Sequence, residues 1–299
     1  MEPIFTGFAH TTHPHDYPTN ADAGELVHDQ SGHVNYTHPA QNLNDPYLTA
    51  YSAKALPIDV ALGTVDSIDV MGSNHEANMR IWYGLLNCGF KIPASAGTDC
   101  FLNRIRSRLP GSVRVYVEVD GSFSYQGWIN NLKNGRSFAT NGPMFELTVG
   151  GKSLGETVSL TKPGNISVSG EVHSQFPLDR AEIIFNGKVI ASINASGTAS
   201  TSIYINQEVT IPKSGWIALR ASGPRHPDAG TAQLGHTSPV YIEVQGKPND
   251  AREDAKYFIN WIDRLWKDVQ ARDRIPSRHK DHVESQITTA RSVYQKLAD

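Results

Sequence analysis

The sequence predicts an α/β region, then an all-β region, then a C-terminal helical hairpin. Short β-like runs alternate with helical stretches in the first region. Turn residues separate short β-branched runs at regular intervals in the second, which is typical of a β-sandwich. Charge density rises in the third, where apolar residues recur at helical spacing. We therefore expect three domains, at 1–143, 144–246 and 249–299.

Four strands are expected in the first region, each bounded by glycine, proline or a polar turn. They are residues 33–39, 65–72, 92–99 and 113–119. The spacing of the first three strand ends is close to one strand–helix–strand repeat. These strands are therefore expected to form a parallel sheet or barrel.

Helices are expected between these strands. They cover residues 21–30, 79–88 and 125–134. Asn20 is the expected N-cap of the first. Gly89 and Gly135 directly follow the other two, where glycine readily takes the left-handed conformation that ends a helix.

The second region contains a strong hairpin signal. Asn186 and Gly187 separate the runs EIIF and KVIASI. A type I′ turn needs a positive φ at both central positions, and these two residue types tolerate it. We therefore expect a two-residue hairpin at this point of the sandwich.

The third region is expected to form two helices that pack on the rest of the protein. The apolar face of the first consists of Phe258, Trp261, Ile262, Leu265, Trp266 and Val269. The face of the second consists of Val283, Ile287, Ala290, Tyr294 and Leu297. Ile275-Pro276 marks the break between the helices, because proline disfavours a helical conformation in the residue before it.

Composition excludes several classes of function. The 27 basic and 30 acidic residues give a formal net charge of −3, which is too balanced for non-specific binding to phosphate backbones. No apolar run is long enough to span a bilayer, and residues 1–15 lack the features of a signal peptide. We expect a soluble protein without nucleic-acid or membrane partners, and its compartment stays open. Cys88 and Cys100 are expected to be reduced packing residues.

Histidines are concentrated near the start of the chain. Seven of the 12 lie within the first 75 residues: His10, His13, His15, His28, His33, His38 and His75. His38 and Asp99 end predicted strands, where the functional sites of parallel sheets form. Pro39 is expected to hold His38 extended. Imidazole and carboxylate are metal-ligand types, so the strand ends predict a metal site.

Several motifs, in this order, resemble the carbaryl hydrolase (CehA/McbA) branch of the PHP superfamily, named after polymerase and histidinol phosphatase domains. They are YTHPAQN, IDVMGSNH, WYGLLNCGF, PASAGTDCFLNR and NGRSFATNGP. The resemblance implies a distorted (β/α)7 barrel that holds two or three divalent ions, zinc or manganese. It also implies hydrolysis of ester, carbamate, amide or phosphoester bonds by metal-activated water.

The resemblance assigns roles to individual residues. The His-Pro motif of the family falls on His38, and its terminal barrel aspartate falls on Asp99. His13 and His15 are candidates for a further ligand pair. His75 is expected to transfer a proton or bind substrate, and Arg104 and Arg106, with Arg108, are expected to bind an anionic group of the substrate.

The sequence departs from the family pattern at two points. Cys100 and Phe101 follow Asp99, where many members have Asp-x-His, and only 37 residues precede His38. We therefore expect that the chain lacks the first part of the barrel, binds metal weakly and self-associates through an open barrel edge. The alternative is a non-catalytic binding or structural module that carries the sandwich.

Overall fold

The computed structural model describes residues 15–40, 42–45, 47, 53–72, 74–103, 107–225 and 231–299. The chain divides into two compact units, neither of them contiguous in sequence. The first comprises Met1–Ile68, Ser73–Phe90 and Asp250–Asp299, and the second comprises Asp69–Gly72 and Lys91–Asn249. The three predicted domain ranges stay a prediction.

The described residues form six α-helices and one short 3-10 helix. The α-helices are α1 (Asn20–His28), α2 (Leu56–Ala61), α3 (His75–Asn87), α4 (Tyr125–Lys133), α5 (Arg252–Arg272) and α6 (Lys280–Ala298). The 3-10 helix, Ser277–His279, lies between α5 and α6. None of the described helices is long and apolar enough to cross a membrane.

Fourteen strands are described. The first seven are β1 (Asn35–Tyr36), β2 (Ser67–Met71), β3 (Ala94–Ala96), β4 (Arg114–Val117), β5 (Ser137–Thr140), β6 (Met144–Val149) and β7 (Thr157–Leu160). The other seven are β8 (Gly164–His173), β9 (Arg180–Phe185), β10 (Lys188–Asn194), β11 (Ser202–Ile211), β12 (Gly215–Arg225), β13 (Ala232–Thr237) and β14 (Val240–Val244). The predicted class, mixed α/β with a β-rich part and a C-terminal helical hairpin, is confirmed. The barrel stays a prediction.

The helix ends show where local sequence signals were sufficient. Gly89 and Gly135 follow α3 and α4 with φ of 89° and 77°, as predicted. The predicted N-cap Asn20 is wrong, because α1 is capped one residue earlier. The hydroxyl of Thr19 accepts from the Asp22 amide at 3.2 Å, and the Asp22 carboxylate accepts from the Thr19 amide at 2.8 Å. This reciprocal pair satisfies two main-chain donors that the helix itself leaves unpaired.

The helical hairpin packs within the first unit, as the periodicity predicts. Most of the predicted apolar faces are buried, while Trp266 and Leu297 are half-buried. The Tyr294 hydroxyl donates to the carbonyl of Pro57 in α2 at 2.9 Å. The Trp261 indole donates to the carbonyl of Lys54, just before α2, at 2.9 Å. The apolar faces are therefore packing surfaces.

Parallel pairing is present in the first unit, where β1 pairs with the first two residues of β2. In the second unit, β3 belongs to the same sheet as the end of β2. The fourth predicted strand does not join this sheet. It is β4, and it pairs antiparallel with β5 in the large sheet of the second unit. The alternation of apolar and polar residues in a short strand does not specify which strand it pairs with. The sequence pattern of β4 alone therefore could not show which of the two sheets it joins.

The second unit contains two sheets that share one apolar core. The larger has the order β10-β9-β12-β13-β5-β4, with β14 beside β12 and β7 beside β14. The smaller has the order β11-β8-β6. Buried side chains from β6, β8 and β11 form one cluster with those from β9, β12 and β14. This is the predicted sandwich arrangement, and β4 and β5 extend it before residue 144.

The Asn186–Gly187 hairpin forms as predicted. The φ angles of Asn186 and Gly187 are 47° and 81°, and Phe185 pairs with Lys188 across the turn. The Asn186 side chain also accepts from the Trp216 amide at 2.9 Å and donates to the Ser214 carbonyl at 3.3 Å. The turn is therefore fixed by its own geometry and by a neighbouring strand.

Candidate functional site

His38 lies two residues beyond β1, in the first unit, and is half-buried. Its φ is 50°, so the expectation that Pro39 holds it extended is wrong. A following proline disfavours the right-handed helical region, which leaves the left-handed region open as well as the extended one. The amide of Ala53 donates to the His38 carbonyl at 3.1 Å, and this bond helps to hold the conformation.

Asp99 lies three residues beyond β3, in the second unit, and is exposed. Its φ is 51°. The neighbouring Thr98 fixes the loop, because its hydroxyl donates to the Val113 carbonyl at 2.8 Å and accepts from the Gly111 amide at 3.0 Å. The Asp99 carboxylate is therefore presented on an anchored turn.

Two buried serines fix β3 in the second unit. The Ala94 amide donates to the Ser238 hydroxyl at 2.9 Å, and the Ser137 hydroxyl donates to the Ala94 carbonyl at 2.9 Å. The two hydroxyls are also 2.9 Å apart. They thus satisfy both main-chain groups of Ala94, the first residue of β3, where no solvent reaches.

Asp69 is a buried carboxylic acid. It lies on β2, in the second unit, with 7% of its surface exposed. A Cβ atom placed on Gly97 would be 3.5 Å from the Asp69 carboxylate. Asp69 therefore adjoins the segment that leads to Asp99. The signal in the sequence is a carboxylate inside the otherwise apolar run IDVM.

The remaining predicted site residues occupy different positions. His75 is the exposed first residue of α3, after the N-cap Asn74, and His15 is exposed. Arg108 donates to the Thr98 carbonyl at 3.5 Å, beside Asp99. His13, Arg104 and Arg106 lie outside the described residues, so their roles stay a prediction.

Two of the clustered histidines hold the start of β2. His28 Nε2 lies 3.0 Å from the Asp66 carboxylate, which also accepts from the Val34 amide at 2.7 Å. His33 Nε2 lies 2.7 Å from the Ser67 hydroxyl. These contacts lie where β2 begins, opposite to the end where parallel sheets form their sites. The cluster of histidines near the start of the chain therefore includes structural residues, His28 and His33, as well as candidate metal ligands.

A buried polar chain in the first unit joins α1, β1 and α2. Asn20 donates to the Tyr36 hydroxyl at 2.9 Å, and that hydroxyl donates to the Asp59 carboxylate. Burial raises the pKa of Asp59 to about 7, and the charge of Asp22 acts in the same direction. Burial and the neighbouring carboxylate raise the pKa of Tyr36 well above its usual value. The periodicity of the sequence did not predict this series of hydrogen bonds, because its members are distant in sequence.

Burial keeps two other titratable side chains, those of His236 and Cys88, in their uncharged forms. Burial lowers the pKa of His236 to about 3, so its imidazole is neutral at physiological pH. Its Nδ1 lies 2.8 Å from the Thr237 carbonyl. Burial raises the pKa of Cys88 to about 12 and keeps the thiol protonated, as expected for a packing residue. Cys100 is half-buried, and both thiols are free of disulfides.

The donor types at the strand ends fit a divalent metal, since imidazole and carboxylate both bind zinc and manganese. Within the part of the chain that the structure describes, no group of three or more His, Cys, Asp or Glu is arranged to hold a metal ion. The described donors therefore fit a metal by type but do not supply a complete ligand set.

No family model matches this sequence, and no curated protein is similar enough to count as a relative.

Proposed function

We propose that this chain is a metal-dependent hydrolase of ester, carbamate, amide or phosphoester bonds, with His38 and Asp99 among its metal ligands. One observation carries the proposal. Both predicted ligands have a left-handed backbone just beyond a strand end, with φ of 50° and 51°. Such angles are uncommon outside glycine, although Asp and His adopt them more often than most residues, and strained backbone is concentrated at functional sites.

The other left-handed positions have local explanations. Among the described residues, the remaining non-glycine cases are Ser31, Asn186 and Asp273. Ser31 belongs to the turn that closes α1, Asn186 belongs to the hairpin, and Asp273 is the C-cap of α5. Helix ends and hairpins commonly need such a residue. His38 and Asp99 are neither helix caps nor central residues of a two-residue hairpin, which favours a functional reason for their geometry.

A bound zinc or manganese ion would supply an activated water and polarise the electrophilic oxygen of the substrate. The protein residues then have separate roles in the proposal. His38 and Asp99 are each proposed as a metal ligand, and His75 would accept or deliver a proton at an imidazole nitrogen. Arg104 and Arg106 hold an anionic group of the substrate by charge-assisted hydrogen bonds. His13 and His15 remain the proposed additional ligands.

The test compares metal content with hydrolysis. The chain is stripped with a chelator, loaded with zinc or manganese, dialysed and analysed for bound metal. Hydrolysis of a nitrophenyl ester and a nitrophenyl phosphodiester is then measured. We expect activity that depends on added metal, and at least tenfold losses of both metal affinity and activity in His38→Ala and Asp99→Asn.

Asp273→Asn is the matched control, since it makes the same chemical change at another left-handed, exposed position. It should leave metal content and hydrolysis unchanged. Equal behaviour of Asp99→Asn and Asp273→Asn would remove Asp99 from the site. Failure of the unaltered chain to bind either metal or to hydrolyse either substrate would favour the non-catalytic module.

A further inference from the structure

β11 is an edge strand of the second unit, and among the described residues no strand pairs with its outer side. It is the end strand of the order β11-β8-β6, and it pairs with β8 over ten consecutive residues without a register shift. It contains no Lys or Pro and no bulge, features that often blunt an edge, and its single charged residue is Glu208. The edge strand β10 of the larger sheet differs, because it begins at Lys188 and has a register shift between Val189 and Ala191.

The solvent-facing surface of β6, β8 and β11, here named the acidic face, has one sign of charge. The three strands contain Glu146, Glu171 and Glu208 and no Lys, Arg or Asp. Glu146 lies directly opposite Glu171, although like charges in that arrangement destabilise a sheet. None of the three glutamates forms an ion pair with a described residue.

An exposed aromatic ring completes the acidic face. Tyr204 lies on β11 directly opposite Glu171, and 72% of its surface is exposed. A tyrosine ring beside carboxylates attracts the cationic group of lysine or arginine through its face. The ring and the carboxylates therefore favour the same kind of ligand group.

We propose that β11 accepts an additional strand from an extended basic peptide with lysine or arginine at every second position. Main-chain hydrogen bonds to the outer edge of β11 would provide affinity, and the alternate side chains would reach the acidic face. A second copy of this chain is a poorer occupant, because pairing two β11 strands would place one acidic face beside another. The position of β11 at the edge of its sheet thus indicates binding by strand addition, and the negative charge of the acidic face indicates a basic partner.

The experiment uses the full chain and three synthetic peptides. The first alternates threonine and lysine, the second has the same composition with its lysines consecutive, and the third is the first with every main-chain amide N-methylated. We expect the alternating peptide to bind and to slow amide exchange in β11. The consecutive-lysine peptide should bind about tenfold more weakly, and N-methylation should abolish the protection because it removes the donors of strand pairing.

Charge is tested by replacing the three glutamates together. The triple variant Glu146→Gln, Glu171→Gln and Glu208→Gln should bind the alternating peptide about tenfold more weakly, because three small charge contributions are lost at once. The matched control changes three exposed glutamates elsewhere: Glu243→Gln, Glu253→Gln and Glu284→Gln. It should bind as the unaltered chain does.

Three results would overturn the proposal. Equal weakening by the two triple variants would indicate non-specific attraction to a negative protein. Binding without protection of β11 would place the peptide elsewhere. Concentration-dependent protection of β11 without peptide would identify a second copy as the occupant.

Discussion

The interior of the sandwich and the interior of the first unit are stabilised in different ways. The sandwich core is a continuous cluster of apolar side chains contributed by alternate residues of two sheets. Both units also bury polar groups, and those of the first unit include carboxylic acids that need specific partners. Asp16 accepts from Arg272 at 3.0 Å, Asn78 accepts from the Ala40 amide at 3.0 Å, and Asp59 accepts from Tyr36.

This difference determines how each interior responds to change. Apolar burial is non-directional and approximately proportional to area, so the sandwich should be sensitive to lost volume. A buried polar group costs free energy unless it is paired, so the first unit should be sensitive to protonation and to lost hydrogen bonds. Four predictions separate these two kinds of response.

The largest expected effect is loss of volume in the sandwich. Ile183 on β9 is 0% exposed, whereas Ile190 on the neighbouring β10 is 40% exposed. We expect Ile183→Ala to lower the free energy of unfolding by about 2–5 kcal/mol, because it leaves a cavity. Ile190→Ala should cost less than about 1 kcal/mol. Urea unfolding measures both, and similar costs would mean that the sandwich core can collapse around the missing atoms.

The second prediction concerns pH in the first unit. The pKa of Asp59 is about 7 in the fold, and that of an unfolded aspartate is about 3.9. A raised pKa means that the fold favours the protonated acid, so this stabilisation is complete below about pH 4 and is lost as the pH rises towards 7. The fall is of the order of 1.4 kcal/mol per unit of pKa change.

Asp59→Asn should remove this dependence, since the amide stays neutral. Unfolding free energies measured at pH 5 and pH 8 give the test. Asp281→Asn, at an exposed position on α6, should keep the slope of the unaltered chain. An unchanged slope in Asp59→Asn would show that another group dominates the pH response.

The third prediction sharpens the comparison, because the second unit also contains a specific polar contact. Ser238→Ala leaves the buried amide of Ala94 without its acceptor. We expect a cost of about 1–3 kcal/mol, with faster amide exchange at Ala94. Ser192→Ala, on the exposed part of β10, is the control and should be nearly neutral. A neutral result for Ser238→Ala would mean that Ala94 finds another acceptor.

The smallest expected effect is at the N-cap of α1. Thr19→Ala removes one partner of the reciprocal cap and the hydrogen bond to Gln286 of α6 at 2.9 Å. We expect a loss of about 1 kcal/mol and faster amide exchange in the first turn of α1. Thr19→Ser should recover most of that loss, because serine retains the hydroxyl. Equal destabilisation by both variants would argue against the cap.

Local signals in the sequence identified much of the fold. The Asn186–Gly187 turn, the glycines after α3 and α4, and the two C-terminal helices follow from backbone preference and period. The sheet that β4 joins did not follow, because strand partners depend on residues distant in the chain. The cap at Thr19 was missed because Asn20 and Thr19 are both good caps, and only the reciprocal bond with Asp22 distinguishes them.

The positions of His38 and Asp99 relative to the strands were predictable from the sequence, but their local geometry was not. His38 and Asp99 do follow strands, which the turn residues around them indicated. Their left-handed backbone was not predictable, because it depends on contacts such as the bond from Ala53 to the His38 carbonyl. The partners of His28 and His33 were also hidden, since each is more than 30 residues away in the chain. Residue type alone could not separate these histidines from the predicted metal ligands.

The hairpin at Asn186 also affects the rate at which this asparagine deamidates. An Asn-Gly pair deamidates when the glycine nitrogen attacks the asparagine side chain, and a free chain allows this readily. In the fold, the side chain of Asn186 is held by the Trp216 amide and the Ser214 carbonyl, which restrict that approach. Conversion of Asn186 to aspartate or isoaspartate therefore requires local opening. The rate at which aspartate or isoaspartate accumulates at position 186 in stored protein would therefore measure how often this end of the sandwich opens.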